Sequence, residues 1–600
     1  MYPYTKRFLK EYLPGKGKVY FWGILFLLIT IVTTAVLPNF TKDAINHLTK
    51  SQHEEFLFVS ILILSLGIVL CIFRTLSRIF IFLQGRRIEA EVRQDLFNSV
   101  VNLPMNDLAQ YQSGDLISRG TNDVTSIRVM ISMGILHTIN TGLIVPLCLY
   151  QMFSISPKLT LICLIPLPLA IIGTKFLSNK MMLAGRDTQK QLGVLSETIR
   201  EQFRAHTMLS IFPVFERVNE QFTKDNSSYS QKAESLLRIR VCMMIMVATI
   251  LSLGMFILLR YGGPEAIANE ELGKNGFNIG AFTAFGLFLG MMQGPLRSAG
   301  FLLPLLQRGE VCLERIYDVR DTAFKASETD AKREVQSIDY INSKDAPYLI
   351  SISDLKYSYN ENNPESFSLN IKELNIQQGK KYGIFGKTGC GKTTLANIIC
   401  ANIRTEGINC KNIPYSKISS SVLNSLFSIV PQDNKHFSKT IQENIDLVIE
   451  NSKGNENALS FEDSYEVSQL KYDVEEFNDG LNTLLGEHGI NLSGGQKQRL
   501  SILRALVKPR DLLIMDDYVS AVDHKTESRI ITKLFEKIDG QTVLLISHRI
   551  SALTPCDEII VMENGQIVDQ GSHDHLYKNN KEYKETYDHQ MLEKKLEELL

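Results

Sequence analysis

The chain begins with long unbroken apolar runs and ends with short ones. Six stretches, residues 19–38, 56–82, 129–154, 159–177, 241–259 and 277–303, are long enough to cross a bilayer. A spanning helix needs about 20 mainly apolar residues, because its backbone groups find no water in lipid. The third stretch carries His137 and Asn140 and the sixth Gln293 and Arg297, which makes these the weakest of the six. Between the second and third runs, and between the fourth and fifth, lie long polar segments of helical character. They predict two helical hairpins projecting from the membrane. Beyond a polar stretch at 325–347 the pattern changes to short β-like runs alternating with helices. The pattern therefore predicts an α-helical six-span transmembrane domain over 1–324, a linker over 325–347, an α/β domain over 348–584 and a C-terminal helix over 585–600.

Charge refines this picture. Arg74, Arg78, Arg86, Arg87 and Arg93 follow the second run, and Lys180, Arg186, Lys190, Arg200 and Arg204 follow the fourth, whereas the connector 264–276 is mainly acidic. Basic residues mark the inner side, so both termini and both hairpins are expected in the cytoplasm. The opening MYPYTKRFLKEYLPGKGK has no small-residue cleavage site after a short apolar core, and reads as an amphipathic helix at the inner membrane surface. A formal net charge of -1 gives no reason to expect a nucleic-acid partner. The nine cysteines form no CxxC pair that could frame a zinc site or a disulfide network.

The chemistry lies in the second half. A compact apolar run, 382–385, leads into GKTGCGKTT and then a helix. Gly386-x-x-x-x-Gly391-Lys392-Thr393 is a phosphate-binding loop in its strand-to-helix setting. Gly386, Lys387, Thr388, Gly389, Cys390, Gly391, Lys392, Thr393 and Thr394 are the residues expected to hold ATP. Their backbone N–H groups approach the phosphates, Lys392 reaches the outer ones, and the Thr393 hydroxyl ligates magnesium. The tract LLIMDD supplies a buried strand that delivers Asp516 to the same cation. Between these two motifs stands LSGGQKQR, 492–499, where Ser493, Gly494, Gly495 and Gln496 open another helix. This is a second cradle for phosphate, best used on a nucleotide held by another domain.

This ordered set of motifs resembles the ATP-binding cassette transporters, and six spans followed by one cassette resembles their half-size exporters. The resemblance covers essentially the whole chain. It implies the exporter (type IV) membrane fold, with Tyr359 of KYSY stacking on adenine and Gln432 of VPQD joining the magnesium shell and coupling to the membrane half. It also implies that Ser493 to Gln496 clamp ATP on the facing subunit, that SAVD with Asp523 links the two sites, and that His548 of LISHR is the switch histidine. Coupling helices are implied at the hairpin tips, which the sequence suggests at 114–124 (GDLISRGTNDV) and 193–212.

One position departs from the family pattern. After the magnesium aspartate a glutamate is expected, to polarise the attacking water; this chain has Asp517, one methylene shorter. The expectation is a degenerate site that keeps ATP and hydrolyses it slowly, in one half of a heterodimer whose other chain carries the glutamate. GDLISRGTND and GKTGCGKTT add a likeness to bacterial multidrug-type heterodimers. Export of a small amphipathic or drug-like molecule from a bacterial plasma membrane is the function implied. The alternatives are a homodimeric peptide or lipid exporter, an exporter-fold importer, and a nucleotide-switched regulatory membrane protein.

Overall fold

The computed structural model describes residues 3–599 apart from 213–214, 272–275, 343–345, 360–366, 450–458, 487–491, 508–509, 519–523 and 539. Its contacts divide the chain into two units, residues 1–101 with 112–321, and residues 102–111 with 322–600.

Helices make up the first unit. α1 (Pro3–Tyr12), α2 (Gly17–Thr49) and α3 (His53–Val101) come first. The short α4 (Met105–Leu108) is grouped with the second unit. Then α5 (Ser113–Ser118), α6 (Val124–Val129) and α7 (Ile135–Ile155) follow nearly end to end through π-type turns at Arg119–Asp123 and Met130–Gly134. α8 (Pro157–Leu164), α9 (Pro166–Arg204), α10 (His206–Ile211) and α11 (Phe215–Ile257) form the next run. α12 (Gly263–Glu271), α13 (Ile279–Met291) and α14 (Gln293–Ala331) complete it.

Prolines and small residues explain these boundaries. The Ser156 hydroxyl accepts from the Leu159 N–H and Pro157 takes the first helical position of α8. Pro166 opens α9 and Pro295 stands in the first turn of α14, where a missing N–H costs no helical bond, beside the breaks at Ile165 and Met292. The expected sixth span is therefore two helices. A Cβ placed on Gly23 would lie 2.9 Å from Ile81 Cγ1, so glycine lets α2 approach α3 closely.

The surface of α3 shows its solvent. Phe58, Ile61, Leu64, Ile68 and Ile72 are each more than half exposed. In water that stripe would be a sticky patch, whereas lipid accepts it. Among the described residues, α2, α3 and the continuous run Ser113–Ile155 are long and apolar enough to cross a membrane. The fourth to sixth expected spans fall on α8–α9, α11 and α13–α14, where several side chains, Arg297 among them, lie outside the described residues. Gln293 is half-buried. Trp22, the chain's one tryptophan, stands on α2 with its ring 5.9 Å from that of Phe26 and 6.0 Å from that of Phe21.

α1 is amphipathic and packed rather than loose. Phe8 and Tyr12 are buried, and its polar side binds α14: Arg7 pairs with Asp321 at 2.7 Å, and Glu11 accepts from Tyr317 at 2.9 Å and pairs with Arg320 at 3.1 Å.

The first hairpin turns earlier than the sequence suggests. Its break is 102–112, around α4, while 114–124 lies on the return helix inside the first unit. The polar residues there are occupied locally. Arg119 pairs with Asp115 at 2.7 Å and Asp318 at 3.0 Å; Arg315 pairs with Asp123 at 2.8 Å and with Asp115. Buried carboxylates and guanidiniums need such partners, so this motif is an ion-pair lattice with α14, not a tip. The stretch 193–212 does contain a break, at Ala205 between α9 and α10.

In the second unit the segment expected as a linker is structured. α14 runs to Ala331, Val335 bridges to Ile418, and α15 (Ile338–Asn342) follows. β1 (Ile350–Ser358), β2 (Ser368–Ile376), β3 (Lys381–Phe385) and α16 (Lys392–Ile399) come next, then β4 (Ile408–Cys410), β5 (Ile413–Pro414), α17 (Ser420–Leu426) and β6 (Phe427–Val430). α18 (Ile441–Ile449), α19 (Phe461–Val467), α20 (Leu470–Glu476) and α21 (Gly494–Leu506) form a helical insert. β7 (Leu512–Asp516), α22 (His524–Lys537), β8 (Thr542–Ile546), α23 (Ile550–Leu553), β9 (Glu558–Glu563), β10 (Gln566–Gly571), α24 (His573–Asn579) and α25 (Lys581–Leu599) close the chain.

A six-stranded sheet, ordered β10-β9-β3-β8-β7-β6, carries the site, beside an antiparallel sheet ordered β2-β1-β4-β5. β7 and β8 are buried along their whole length. This is why they read as continuous apolar runs: a parallel strand covered on both faces has no polar side. α25 starts at Lys581, and Tyr583 in its first turn is buried against Phe385, so its beginning belongs to the core.

Candidate functional site

β3, β8 and β7 are parallel neighbours, so the loops leaving their carboxyl ends meet, as ligand-binding loops do in such sheets. β3 leads into the phosphate loop, β8 into Ser547 and His548, and β7 ends on Asp516.

The loop is built for close backbone approach. Gly389 and Gly391 have φ of +82° and +106°, a region costly for other residues. A Cβ on Gly391 would sit 2.7 Å from Phe367 Cζ, and one on Gly386 would sit 2.4 Å from the Met562 carbonyl oxygen. Cys390 is buried beneath the loop, a packing residue. Lys392 Nζ is buried and donates to the carbonyls of Gly386 (2.6 Å) and Lys387 (2.9 Å). Burial lowers its pKa against the pull of Cys390, Asp516 and Asp517. Thr394, next on α16, is hydrogen-bonded at 3.3 Å to the hydroxyl of Tyr359, whose ring is 63% exposed. That ring is free to offer a face to a base.

Asp516 is 3% exposed. Burial raises its pKa, opposed by a hydrogen bond donated by Thr393 and by the charge of Lys392. A buried carboxylate beside a hydroxyl is poorly solvated unless a cation joins it. Both groups suit magnesium, which takes few protein ligands and completes its shell with water and phosphate. No group of three or more His, Cys, Asp or Glu side chains that could hold a metal occurs among the described residues.

Asp517 follows with φ +46°. Its N–H donates to the Ile546 carbonyl at 3.0 Å, its own carbonyl accepts from Gln498 Nε2 at 3.0 Å, and its Oδ2 lies 3.5 Å from Gln432 Nε2. The structure thus brings Gln432, Asp516, Asp517 and His548 around the end of the loop that Lys392 marks. His548 shares a cavity of about 160 Å³ with Gly386 and Lys387.

Ser493 to Gln496 stand at the start of α21 in a capping box. The Ser493 hydroxyl accepts from the Gln496 N–H at 3.2 Å and the Gln496 carboxamide accepts from the Ser493 N–H at 2.9 Å. Gln496 also reaches Asp473 at 3.3 Å. Ser493, Gly494, Gly495 and Gln496 are thus locked as a helix start, an arrangement that presents N–H groups to an anion. Asp523 and the rest of SAVD lie outside the described residues. Gln498 lies within LSGGQKQR, yet nothing in that motif announces its bond to Asp517; Gln590, which bonds the backbone beside His548, has no sequence signal at all.

Residues 20–296 match the family described as ABC transporter transmembrane region, and 369–520 the family described as ABC transporter. The probable multidrug resistance ABC transporter ATP-binding/permease protein YheI of Bacillus subtilis (strain 168) is 30% identical, over 84% of this chain and 83% of its own. This chain belongs to the ABC transporters. The multidrug resistance-like ATP-binding protein MdlA of Escherichia coli (strain K12) is 28% identical, over 99% of this chain and 97% of its own. An ATP-dependent lipid A-core flippase of Francisella tularensis subsp. holarctica (strain OSU18) is 26% identical, over 85% and 81%. The solved structure of a bacterial Atm1-family ABC exporter with ATP bound matches with a TM-score of 0.77 at 19% identity, covering 96% of this chain and 99% of that one. The ABC transporter described here therefore has the exporter fold: a helical multi-pass membrane domain followed by a nucleotide-binding domain with a mixed α/β architecture. Its cassette is an ATP-binding ATPase module coupled to export.

Proposed function

We propose that this chain is one half of a heterodimeric exporter of small amphipathic or drug-like molecules, and that its own phosphate loop forms the slow site of the pair. The observation that carries this reading is Asp517. The other motif residues are present in the sequence, while the carboxylate that should polarise water is a methylene short and only at the outer limit of hydrogen bonding to Gln432. The substrate class follows the names of the relatives at 28% and 30% identity.

Magnesium-bound ATP supplies the transferable phosphoryl group and the charge that closes two cassettes on each other. In this chain Tyr359 orients the base, and the loop from Gly386 to Thr394 holds the phosphates. Lys392 neutralises the outer ones. Thr393, Gln432 and Asp516 hold the cation. His548 steadies the outer phosphate, and Asp517 takes the water proton inefficiently. Ser493, Gly494, Gly495 and Gln496 serve the partner's nucleotide, with Asp523 between the sites. Closure is passed to the membrane helices through the hairpin tips, and the cavity alternates between inward and outward access. The arginines and lysines after the second and fourth runs support cytoplasmic termini in a bacterial plasma membrane.

Native mass spectrometry of the tagged chain, extracted gently from its own membrane, tests the assembly. A complex with one different half-transporter supports the reading. A dimer of identical chains overturns it and makes Asp517 a working base. Flux measured in inverted vesicles then separates export from import, and its absence would favour a regulatory role.

A further inference from the structure

We propose that α25 braces the ATP site and that Gln590 is the positioning residue for the switch-histidine loop, so that the chain's C-terminal helix sets its preference for ATP over ADP. This rests on the reading of Gly386 to Thr394 and His548 as a nucleotide site.

Glu582, Thr586 and Gln590 are spaced four residues apart and share one face of α25. Glu582 pairs with Lys387 in the phosphate loop. Thr586 lines the cavity that holds Gly386, Lys387 and His548. Gln590 makes two hydrogen bonds of opposite sense to one loop: its carbonyl oxygen accepts from the Ile550 N–H at 2.9 Å, and its Nε2 donates to the His548 carbonyl at 2.8 Å. A carboxamide offers a donor and an acceptor at once. The backbone on either side of Arg549 is thereby held as a neighbouring strand would hold it. Arg549 itself is anchored to buried Glu527 at 2.7 Å.

The helix that carries these groups is firmly seated. Tyr583 is 1% exposed, its ring 5.6 Å from that of Phe385, and its hydroxyl 2.9 Å from His573 Nδ1. One rigid element therefore touches both the phosphate loop and the His548 loop. Lys392 donates to the carbonyls of Gly386 and Lys387, which marks that end of the loop as the outer-phosphate end. His548 stands beside the same two residues, where ATP differs from ADP.

The test is equilibrium binding of radiolabelled ATP and ADP to the full-length chain in nanodiscs. Gln590→Glu keeps the acceptor for Ile550 but sets a carboxylate oxygen against the His548 carbonyl; Gln590→Met keeps the volume and loses both bonds. We expect each to weaken ATP binding about 10-fold, the loss of roughly one hydrogen bond's worth of positioning, while ADP stays within about 2-fold of the parent, so retained ADP binding reports an intact fold. Parallel loss of ATP and ADP binding, or unchanged ATP binding in both variants, overturns the proposal. Lys392→Ala separates the layers. If it abolishes ATP binding while the Gln590 variants behave like the parent, only the brace fails; if it binds ATP like the parent, the site reading fails and the brace with it.

Discussion

Replacing Asp517 by glutamate perturbs the candidate base directly. The change extends the carboxylate by one methylene, about 1.5 Å. The backbone does not absorb this reach, because the residue is pinned on both sides, by Ile546 at 3.0 Å and by Gln498 at 3.0 Å. The added length therefore appears at the carboxylate, which now lies 3.5 Å from Gln432. A misplacement of about 1 Å costs up to roughly 100-fold in rate, near 2.7 kcal/mol of barrier. Asp517→Glu should therefore raise single-turnover hydrolysis at this site by about 10- to 100-fold. Stability should move the other way. At φ +46° aspartate is among the tolerated residues and glutamate is not, a cost of about 1 kcal/mol. The assay follows release of label from γ-labelled ATP by the purified assembly, with the partner's catalytic carboxylate neutralised so that only this site turns over. A faster and slightly less stable variant is the expected pair of results; unchanged turnover refutes the degenerate-site argument.

Two further predictions rest on separate groups. His436 is buried, its Nε2 3.0 Å from the Lys497 carbonyl and its Nδ1 without a hydrogen-bond partner among the described residues; burial and the nearby charge of Arg504 push its pKa down to about 4. It folds neutral, so its stabilising share is complete above the unfolded value near 6.5 and is lost as pH falls toward 4, on the order of 3 kcal/mol; thermal melts of the parent should fall over that window and those of His436→Phe should fall less. Ser493→Ala removes the capping hydroxyl from α21 at about 1 kcal/mol, and should suppress the assembly's steady-state ATPase activity while ATP stays bound at this chain's own loop, as nucleotide retention after gel filtration would show.

The residues that sequence reading handled well are those whose chemistry is local. A loop of glycines between a buried strand and a helix needs no tertiary knowledge, and β7 shows its burial through an unbroken apolar run. The membrane helices were visible for the same reason, but their breaks were not fully so. Pro295 stands inside an apolar stretch that composition alone joins into one span, yet it occupies the first turn of α14, just past the break at Met292. The hairpin break at 102–112 is not legible because the charges of GDLISRGTNDV do not reveal their partners: Arg315 and Asp318, some two hundred residues away in sequence, take them up. Gln590 lies beyond such reading altogether, since a side chain that binds two backbone groups leaves no periodicity and no motif.

The single indole of Trp22 has a practical consequence. The cassette contains no tryptophan, so excitation at the red edge of protein absorbance lights only one point of the molecule, on α2 between Phe21 and Phe26. Nucleotide enters more than three hundred residues later in the chain. A change in this indole's emission wavelength or quenching on adding ATP is then a signal that has left the cassette and arrived in the membrane domain. This chain thus carries its own optical reporter of coupling, with no tryptophan background from its own cassette.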